Sequence, residues 1–390
     1  MQTQLQHLAP SQLHLDTALP WNLYDSGGNL LLSRGFVLVR NAQIDSLIER
    51  GVFVRPDDLK LYHYPGVTPA TAPPIPPPVA PRQIDPFHMR EAMAGRLVLL
   101  LRDAAQDGAK ETDFTAKIHE IANMIHLLCD NNVDATLAAI FLLDHTKYPI
   151  SHSIDTAVLA DLLARKLDWS EAQRRSVVCA ALTMNIGMID AQTILALQRQ
   201  PLTDVQKAVI NAHTGVGIKM LRGVGVTDEL WLRIVEDHHE VPDGSGYPGG
   251  KKEIAQETML VRTLDIFTAL VTPRATRKAA DPAQALRALF LQESKHNNNL
   301  VGLLIKEIGL YPPGSFAKLK NGDIAVVSKR ATATTPILVH SFINGKGLPM
   351  LDPMWRDAAR PEFAIAAGLA RDAVATKADL VKIWNAHTRA

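Results

Sequence analysis

Cysteine is scarce in this chain of 390 residues: Cys129 and Cys179 are its two members, and no Cys-X-X-Cys spacing is present. The scarcity excludes a disulfide framework and a cysteine-rich metal site, and both thiols are expected to be reduced core residues. An excess charge of one sign is also missing, because 41 Lys and Arg nearly balance 40 Asp and Glu. Nucleic acid and an anionic membrane are therefore not predicted as main partners.

Long hydrophobic runs are absent as well. The most apolar stretches, such as "RLVLLLRD" and "ATLAAIFLLD", are far shorter than the ~20 residues of a membrane span. The amino terminus, "MQTQLQHLAPSQ", lacks the basic and then apolar pattern of a signal peptide. We expect a soluble, cytoplasmic protein.

Proline, by contrast, is concentrated in one place, with nine of the 24 prolines in residues 65–86. Proline fixes φ and removes a backbone donor, so this stretch is predicted to be a semi-rigid linker rather than helix or central strand. Before it, residues 1–64 form a small module. Apolar runs alternate around Asp25-Ser26-Gly27-Gly28, which indicates a β-hairpin, and a capped helical pattern follows over 41–51.

After the linker, apolar residues recur at helical spacing almost throughout. The predicted helices cover 87–106, 113–131, 133–145, 153–169, 170–187, 203–223, 228–240 and 257–271. We interpret 87–145 as a helical connecting region and 146–350 as the main domain. An alternating pattern with an Asn-Gly turn predicts a β appendage near 315–345, and 351–390 is predicted to be a helical tail.

Candidate metal ligands are spread over these predicted helices: His152, His213, His238, His239 and Asp265. A single histidine on a helix is more often a surface or hydrogen-bonded core residue than a ligand. Asp265 is harder to dismiss, because a carboxylate inside an apolar run needs a partner or a metal. Adjacent helical positions diverge by about 100°, so His238 and His239 can share a site only near a helix end. Spacing alone leaves both interpretations open.

The order of these motifs resembles the HD-GYP family of metal-dependent phosphodiesterases over residues 150–330. The stretch "HHEVPDGSGYP" carries most of the resemblance, through the residues His238, His239, Glu240, Gly244, Gly246, Tyr247 and Pro248. The resemblance implies a mainly α fold, an HD-superfamily helical bundle, here with a small N-terminal α/β module and a short C-terminal β appendage. It also implies a site of two or three metals, commonly iron or manganese, and hydrolysis of cyclic di-GMP.

By position, the resemblance assigns metal-ligand roles to His152, His213, His238, His239 and Asp265. It assigns phosphate binding to Arg274 and Arg277, although the segment reads "RATR" here and not "RPYR". The loop with Asp243, Gly244, Gly246, Tyr247 and Pro248 is implied as a surface for diguanylate-cyclase-type partners. Glu240 has two readings, as a catalytic group or as a cap of the loop.

One segment departs from the resemblance. Where the family has His-Asp-Ile-Gly-Lys, this chain has Met184, Asn185, Ile186, Gly187 and Met188. A thioether replaces an imidazole ligand, a neutral amide replaces the carboxylate that bridges two metals, and the phosphate-binding lysine is lost. A second carboxylate is also replaced, by Thr268. Because phosphodiester hydrolysis uses two metals about 3.5–4 Å apart, the usual rate is not expected.

Three hypotheses remain. The preferred one is a degenerate HD-GYP signalling protein that binds cyclic di-GMP or docks a signalling partner, with lost or weak phosphodiesterase activity. The second is an active phosphodiesterase in which Asn185 ligates through its carbonyl and a carboxylate of Asp144, Asp155 or Asp190 moves in. The third is a non-catalytic scaffold. The cofactor is then one divalent ion (iron, manganese or zinc) or none.

Overall fold

The computed structural model of the protein describes residues 84–386 except 106–112, 144–147, 276, 294–297 and 375–379. Before them it describes residues 5–8, 13, 19–28, 30–32, 34, 36, 38, 44, 47–48 and 51–55. Residues 65–83 of the predicted linker and most of the helix predicted over 41–51 lie outside the described residues. The chain divides into two compact units, Met1–Gln83 and Ile84–Ala390.

The N-terminal unit contains an antiparallel sheet of short strands in the order β1-β4-β2-β3. The strands are β1 (Gln6–His7), β2 (Leu23–Tyr24), β3 (Leu30–Leu32) and β4 (Phe53–Val54). The predicted hairpin is confirmed as β2 and β3, because the Asp25 side chain accepts from the Gly27 N–H at 2.9 Å and Gly28 has a φ of 85°. Leu23, Leu38 and Val54 are fully buried in a core of this unit.

The second unit is built mainly from helices. They are α1 (Pro86–Ala104), α2 (Phe114–Asn131), α3 (Val133–Leu142), α4 (Tyr148–Ala164), α5 (Glu171–Thr183), α6 (Ile189–Leu197), α7 (Asp204–Gly223), α8 (Glu229–Asp237), α9 (Gln256–Val271), α10 (Pro282–Glu293), α11 (Asn298–Ile308) and α12 (Lys382–Ala386). A 3-10 turn, Ile186–Met188, joins α5 to α6. The predominance of helix, with small sheets near both ends, confirms the predicted fold class.

Side-chain caps determine where several helices begin. Ser170 with Gln173 and Thr203 with Gln206 form capping boxes at α5 and α7. The Asp228 carboxylate accepts from two backbone N–H groups at the start of α8. Asp85 caps α1, and Pro86 is the first residue of that helix, so the prediction that no part of 65–86 is helical is wrong at this position. Proline is tolerated there because the first N–H of a helix has no partner.

Helix α4 is the central helix of the unit, since all its residues are buried. The main core surrounds it, and α1 and α2, which belong to the region 87–145, contribute Met93, Leu97 and Ile118 to the same core. Cys129 and Cys179 are both buried and form no disulfide. The stretch Glu171–Leu197 has the length and mean hydropathy of a membrane span, but 67% of its most apolar window is buried inside the bundle, as in a core helix.

A second sheet follows the helices, in the order β8-β7-β6-β5-β9, with all pairs antiparallel. Its strands are β5 (Phe316–Leu319), β6 (Ile324–Lys329), β7 (Leu338–Ile343), β8 (Pro349–Asp357) and β9 (Ile365–Leu369). The β structure predicted near 315–345 is present, with Asn321-Gly322 at the turn. Helix predicted for 351–390 is wrong over most of the described part, where α12 is the one α-helix, with short 3-10 turns at Pro361–Phe363 and Arg371–Ala373. Because β8 and β9 lie at the sheet edges, their side chains need not alternate between buried and exposed positions. The alternating apolar pattern that predicts a strand is therefore weak in both.

Candidate functional site

The structure brings three imidazoles together, one from α7 and two from the end of α8. The potential ligand atoms of His213, His238 and His239 all lie within 4.8 Å of one another. Helix α8 ends at Asp237, and His238 is its C-cap residue. The prediction that the adjacent histidines lie at a helix end is therefore confirmed, and the change of direction after the helix lets both rings face His213.

Two of these rings are oriented in the same way, each by a carbonyl three residues earlier in the chain. His213 Nδ1 lies 2.5 Å from the carbonyl oxygen of Ile210, and His238 Nδ1 lies 2.8 Å from that of Val235. Because a carbonyl only accepts, each Nδ1 must carry the proton and donate it. The two Nε2 atoms, 3.4 Å apart, are therefore both left with lone pairs directed at each other.

All three imidazoles are neutral near pH 7. Burial lowers the pKa of His213, lowers that of His238 well below the usual value, and lowers that of His239 to about 4. Their proximity to one another lowers the pKa of His238 and His239 further. Neutral imidazoles with free Nε2 lone pairs are the form that binds metal ions.

The third imidazole is held by the loop after α8. The ring of His239 stacks on Tyr247 with centroids 4.7 Å apart, and the Tyr247 N–H donates to the His239 carbonyl. Gly246 makes this fold of the loop possible, because a Cβ there would lie 2.6 Å from the His239 carbonyl oxygen and 2.4 Å from the Val241 nitrogen. The loop residues implied by the resemblance thus support the imidazole cluster directly.

Glu240 closes the same loop. Its side chain is fully buried, and its two oxygens accept from the backbone N–H groups of Gly249 at 2.5 Å and Lys251 at 2.9 Å. Asp243 forms a local turn, accepting from the Ser245 N–H at 2.9 Å. These contacts favour the reading of Glu240 as a cap of the loop over the catalytic one.

His152 and Asp265 form a separate pair between α4 and α9. His152 Nε2 lies 2.6 Å from Asp265 Oδ1, and Nδ1 lies 3.2 Å from the Thr268 hydroxyl. Burial raises the pKa of Asp265, but the hydrogen bond and charge of His152 lower it more, so its net pKa lies well below the usual range. Thr268 carries no charge, so it does not replace the carboxylate that the resemblance implies at this position. Its hydroxyl instead fixes the orientation of the His152 ring.

The departing segment is largely buried and contacts α7. Met184 is fully buried within the main apolar core, and Asn185 is 5% exposed. The retained Gly187 has a steric role, because a Cβ there would lie 2.1 Å from the His213 carbonyl oxygen and 2.7 Å from the Gly217 nitrogen. The turn thus packs directly on α7 where α7 carries His213. The positions of a ligand and a bridging carboxylate are filled by an apolar and a neutral side chain.

The two arginines of the "RATR" segment diverge. Neither lies on a helix: α9 ends at Val271, as predicted, before Pro273, and the backbones of Arg274 and Arg277 pair with each other in a turn. Proline disfavours helix at the preceding residue, which agrees with this end of α9. Arg274 donates to the hydroxyl of Tyr148 and lies over its ring, which is stacked on His152. Arg277 donates to the Ala269 carbonyl.

A pocket of about 350 Å³ opens beside the imidazoles. Its described lining is His239, Arg262, Asp265, Ile266, Ala269, Leu270, Arg277 and Gln292. Sequence reasoning missed Arg262, which is 8% exposed and whose Nη1 lies 2.6 Å from an oxygen of the fully buried Glu293. The signal was available, because an arginine within the apolar run "MLVRTLDIF" needs a buried partner, as Asp265 does.

The three imidazoles have the chemistry and spacing of a metal site. Two neutral Nε2 lone pairs facing each other at 3.4 Å repel unless a cation lies between them. For a tetrahedral ion with metal–nitrogen bonds of about 2.0–2.1 Å, neighbouring nitrogens are about 3.3 Å apart. Imidazole ligands suit zinc, iron, copper and nickel. The cluster His213, His238 and His239 therefore fits one divalent transition metal.

The carboxylates considered as replacements do not join this cluster. Asp155 is fully buried and paired with Arg90, whose Nη2 lies 2.7 Å from its Oδ1. Asp190 is exposed at the start of α6. Asp144 lies outside the described residues. Among the described residues, the group of potential ligands whose atoms all lie within 4.8 Å of one another consists of the three histidines and contains no carboxylate.

Comparison with known proteins gives the family context. A family model described as HD domain matches residues 137–298. A cyclic di-GMP phosphodiesterase of Pseudomonas aeruginosa is 25% identical over 233 residues, covering 59% of this chain and 56% of the relative. The 3'3'-cGAMP-specific phosphodiesterase 3 of Vibrio cholerae is 30% identical over 195 residues, covering 48% and 42%.

A cyclic di-GMP phosphodiesterase response regulator of Xanthomonas campestris pv. campestris is 31% identical over 144 residues, covering 35% of this chain and 37% of the relative. The chain thus spans roughly half the length of the curated relatives it matches. Among solved structures, an HDG"Y"P protein from Bdellovibrio bacteriovorus is 16% identical, with a TM-score of 0.48, covering 77% of this chain and 98% of that one.

Proposed function

Because this chain belongs to the HD superfamily and is of the HD-GYP type, we propose that it is a signalling protein that binds cyclic di-GMP and has lost most or all phosphodiesterase activity. The observation that carries the proposal is a contrast between two parts of the site, one retained and one changed. Three imidazoles, a pocket with two arginines and the supporting loop are retained. The dyad position holds the buried Met184 and the neutral Asn185.

The retained groups support binding without efficient cleavage. The Nε2 atoms of His213 and His238 and a ring nitrogen of His239 would hold one divalent metal ion, which would supply positive charge for a phosphate oxygen. Arg277 lines the adjoining pocket and offers a guanidinium to the same ligand. In-line displacement needs charge stabilisation of both the attacking and the leaving oxygen, which two metals supply in this class of site. Asn185 is neutral and cannot balance a second dication.

A relative that is specific for 3'3'-cGAMP widens the class of ligand to cyclic dinucleotides. All these ligands contain two phosphodiesters, which would be bound by the metal and the arginines. The choice of base depends on contacts that the phosphate-binding groups do not make. We place cyclic di-GMP first because most of the named relatives act on it.

A second candidate function is docking of a signalling protein by the loop after α8. The observation that favours it is the combination of a fixed backbone and exposed side chains. Glu240 fixes the loop through two backbone N–H groups, while Asp243, Ser245 and Pro248 remain exposed. A preformed surface of this kind binds without a large ordering cost.

The first test measures metal content, ligand binding and turnover on the same preparation. We expect at most one transition metal per chain, binding of cyclic di-GMP by calorimetry, and no linear product by chromatography. His239→Ala should lower metal content and weaken binding at least tenfold, while the exposed His88→Ala serves as control. Cyclic di-GMP hydrolysis at many turnovers per minute would instead establish an active enzyme, and absence of both metal and ligand binding would favour the scaffold hypothesis.

A further inference from the structure

The pocket beside His239 contains a buried ion pair that the resemblance does not account for. Arg262 lies on α9 one turn before Asp265, and it is one of the residues that line the pocket although it is only 8% exposed. Glu293, the last residue of α10, is fully buried and contacts Nη1 of Arg262 at 2.6 Å. Glu293 is not among the described residues that line the pocket. The arginine therefore faces the pocket while the carboxylate lies behind it.

The guanidinium has donors left for a ligand. Arginine carries five N–H donors in a planar fork, and Glu293 engages the Nη1 group. The other oxygen of Glu293, Oε1, has no hydrogen-bond partner among the described residues. The carboxylate thus holds the Nη1 side of the guanidinium and fixes the direction of its remaining N–H groups. Because the arginine side chain is already ordered, less side-chain entropy is lost when a ligand binds.

The surroundings select an anion. Arg277 lines the same pocket, so two arginines border one volume of about 350 Å³. The carboxylate in the lining, Asp265, is hydrogen-bonded to His152 and so is directed at another partner. Planar guanidinium forks bind phosphate oxygens in a bidentate manner. His239 completes the lining and joins the pocket to the imidazole cluster.

We infer that Arg262, held in place by Glu293, is a phosphate-binding residue, so that the pocket takes one phosphate group of a nucleotide ligand next to the imidazole cluster. This inference rests on the proposed function for the identity of the ligand, but not for the phosphate chemistry. It adds a phosphate-binding residue and a positioning carboxylate to the site. Arg262, on α9, would thereby supply a positive charge in place of the lysine that the resemblance implies at position 188, where this chain has Met188.

The test must separate phosphate binding from a purely structural ion pair. Arg262→Glu combined with Glu293→Arg preserves an ion pair but places the carboxylate on the pocket side. Arg262→Met combined with Glu293→Leu removes both charges, a replacement that buried ion pairs often tolerate. The matched control is Arg222→Met combined with Glu229→Leu, which removes an exposed Arg–Glu pair whose nitrogen and oxygen lie 3.7 Å apart.

Binding of cyclic di-GMP, GMP and guanosine to each full-length protein is measured by calorimetry, with thermal unfolding as the check of folding. We expect the wild type to bind both phosphate-containing probes and not guanosine. Both Arg262 double variants should lose about 10- to 100-fold in affinity, the loss expected for a charge-assisted hydrogen bond, whereas the control should bind as the wild type does. If the charge-swapped protein does not fold, the apolar double variant decides the question.

The outcomes separate this inference from the proposed function. Wild-type affinity for cyclic di-GMP in a folded Arg262 double variant overturns the inference and leaves the proposed function intact. Binding of GMP but not of cyclic di-GMP, with dependence on Arg262, overturns the proposed function and supports the phosphate site. Absence of binding of all three probes to the wild type overturns both.

Discussion

Asn185 is the single residue at which the charge of the site differs most from that of a two-metal hydrolase. It is 5% exposed and lies at the start of the turn that packs on α7. A buried carboxylate at this position needs a nearby cation, whereas a buried amide does not. A neutral amide at position 185 therefore has no charge with which to bridge two metals, and it needs no metal to neutralise it.

The substitution Asn185→Asp tests this reasoning. In metal-free protein we expect it to lower the free energy of unfolding by about 3 kcal/mol, because a buried charge is left without a partner. Divalent zinc or manganese should restore more of the stability of the variant than of the wild type. Chemical unfolding with and without each metal measures the difference, and an equal response of the two proteins would contradict the assignment of position 185 to the metal site.

Residue-scale prediction from the sequence succeeded where one chemical requirement dominated. The capped starts of α5, α7 and α8, the position of the adjacent imidazoles and the pairing of Asp265 were predictable because each follows from local geometry or from the cost of an unpaired charge. Arg262 was overlooked among apolar neighbours, although the same cost applies to it. The pairing of Arg262 with Glu293 was not predictable, because 31 residues separate them and only the packing of α10 on α9 brings them together.

At the scale of elements, the site depends on the close approach of the turn Ile186–Met188 to α7. Gly187 permits it, and Gly217 on α7 faces it, where a Cβ would lie 3.2 Å from Ile186. Without this approach, His213 would move away from the end of α8. Packing between two elements therefore sets the position of one ligand.

Gly187→Ala should disrupt this arrangement. The added methyl group would overlap the backbone of α7, so we expect a loss of about 3 kcal/mol or more in stability and a lower metal content. Gly215→Ala, on the same helix, is the control, because a Cβ there meets no atom within 4 Å and should stabilise the helix by about 0.5–1 kcal/mol. Metal analysis and urea unfolding of both variants make the comparison.

A second feature at the scale of elements is the ion cluster around Asp161. It joins α4 to α2 and to the segment after α4. The buried Asp161 contacts His126 Nδ1 at 2.6 Å and Arg165 Nε at 2.8 Å. Burial raises the pKa of Asp161, but the hydrogen bonds and charges of His126 and Arg165 lower it more, so the net pKa is below 3.8. The carboxylate thus stabilises the fold above about pH 3.8, and this contribution is lost as the pH falls through the lowered pKa.

Asp161→Asn should accordingly cost about 3 kcal/mol at pH 7, because it leaves the half-buried Arg165 guanidinium without its buried carboxylate partner. The difference from the wild type should shrink as the pH falls below about 4, because the wild-type carboxyl then also becomes neutral. Asp352→Asn, at an exposed position of β8, should change stability by less than about 0.5 kcal/mol. Unfolding free energies from pH 7 to the lowest pH at which the chain stays folded measure this; a cost that does not change with pH would contradict it.

At the scale of the whole molecule, the chain consists of two units with separate cores. One core contains residues between Leu8 and Val54, and the others contain residues after Ile84. From its proline content the sequence predicts a linker over 65–86, and the two units divide between Gln83 and Ile84. The extent of the C-terminal sheet could not be predicted in the same way, because pairing of β8 and β9 with distant strands, rather than their own periodicity, makes them strands.

The separate cores predict that residues 84–390 fold without the N-terminal unit. This fragment should retain the metal content and cyclic di-GMP affinity of the full chain, and its thermal transition should coincide with the main transition of the full chain. Calorimetry and metal analysis of both proteins test this. A fragment that aggregates or loses its metal would show that the first unit completes the fold of the second.

The local bonds that orient His213 and His238 have a consequence for how such a site can change over generations. Each ring is oriented by a hydrogen bond to a carbonyl three residues earlier in the chain. Four consecutive residues are therefore enough to set the orientation of each ring. Substitutions in distant segments can alter charge and reactivity without rotating either ring. During evolution, mutations in one segment can therefore remove catalysis while the neighbouring segments keep their ability to bind a metal. Selection can then act on that binding alone.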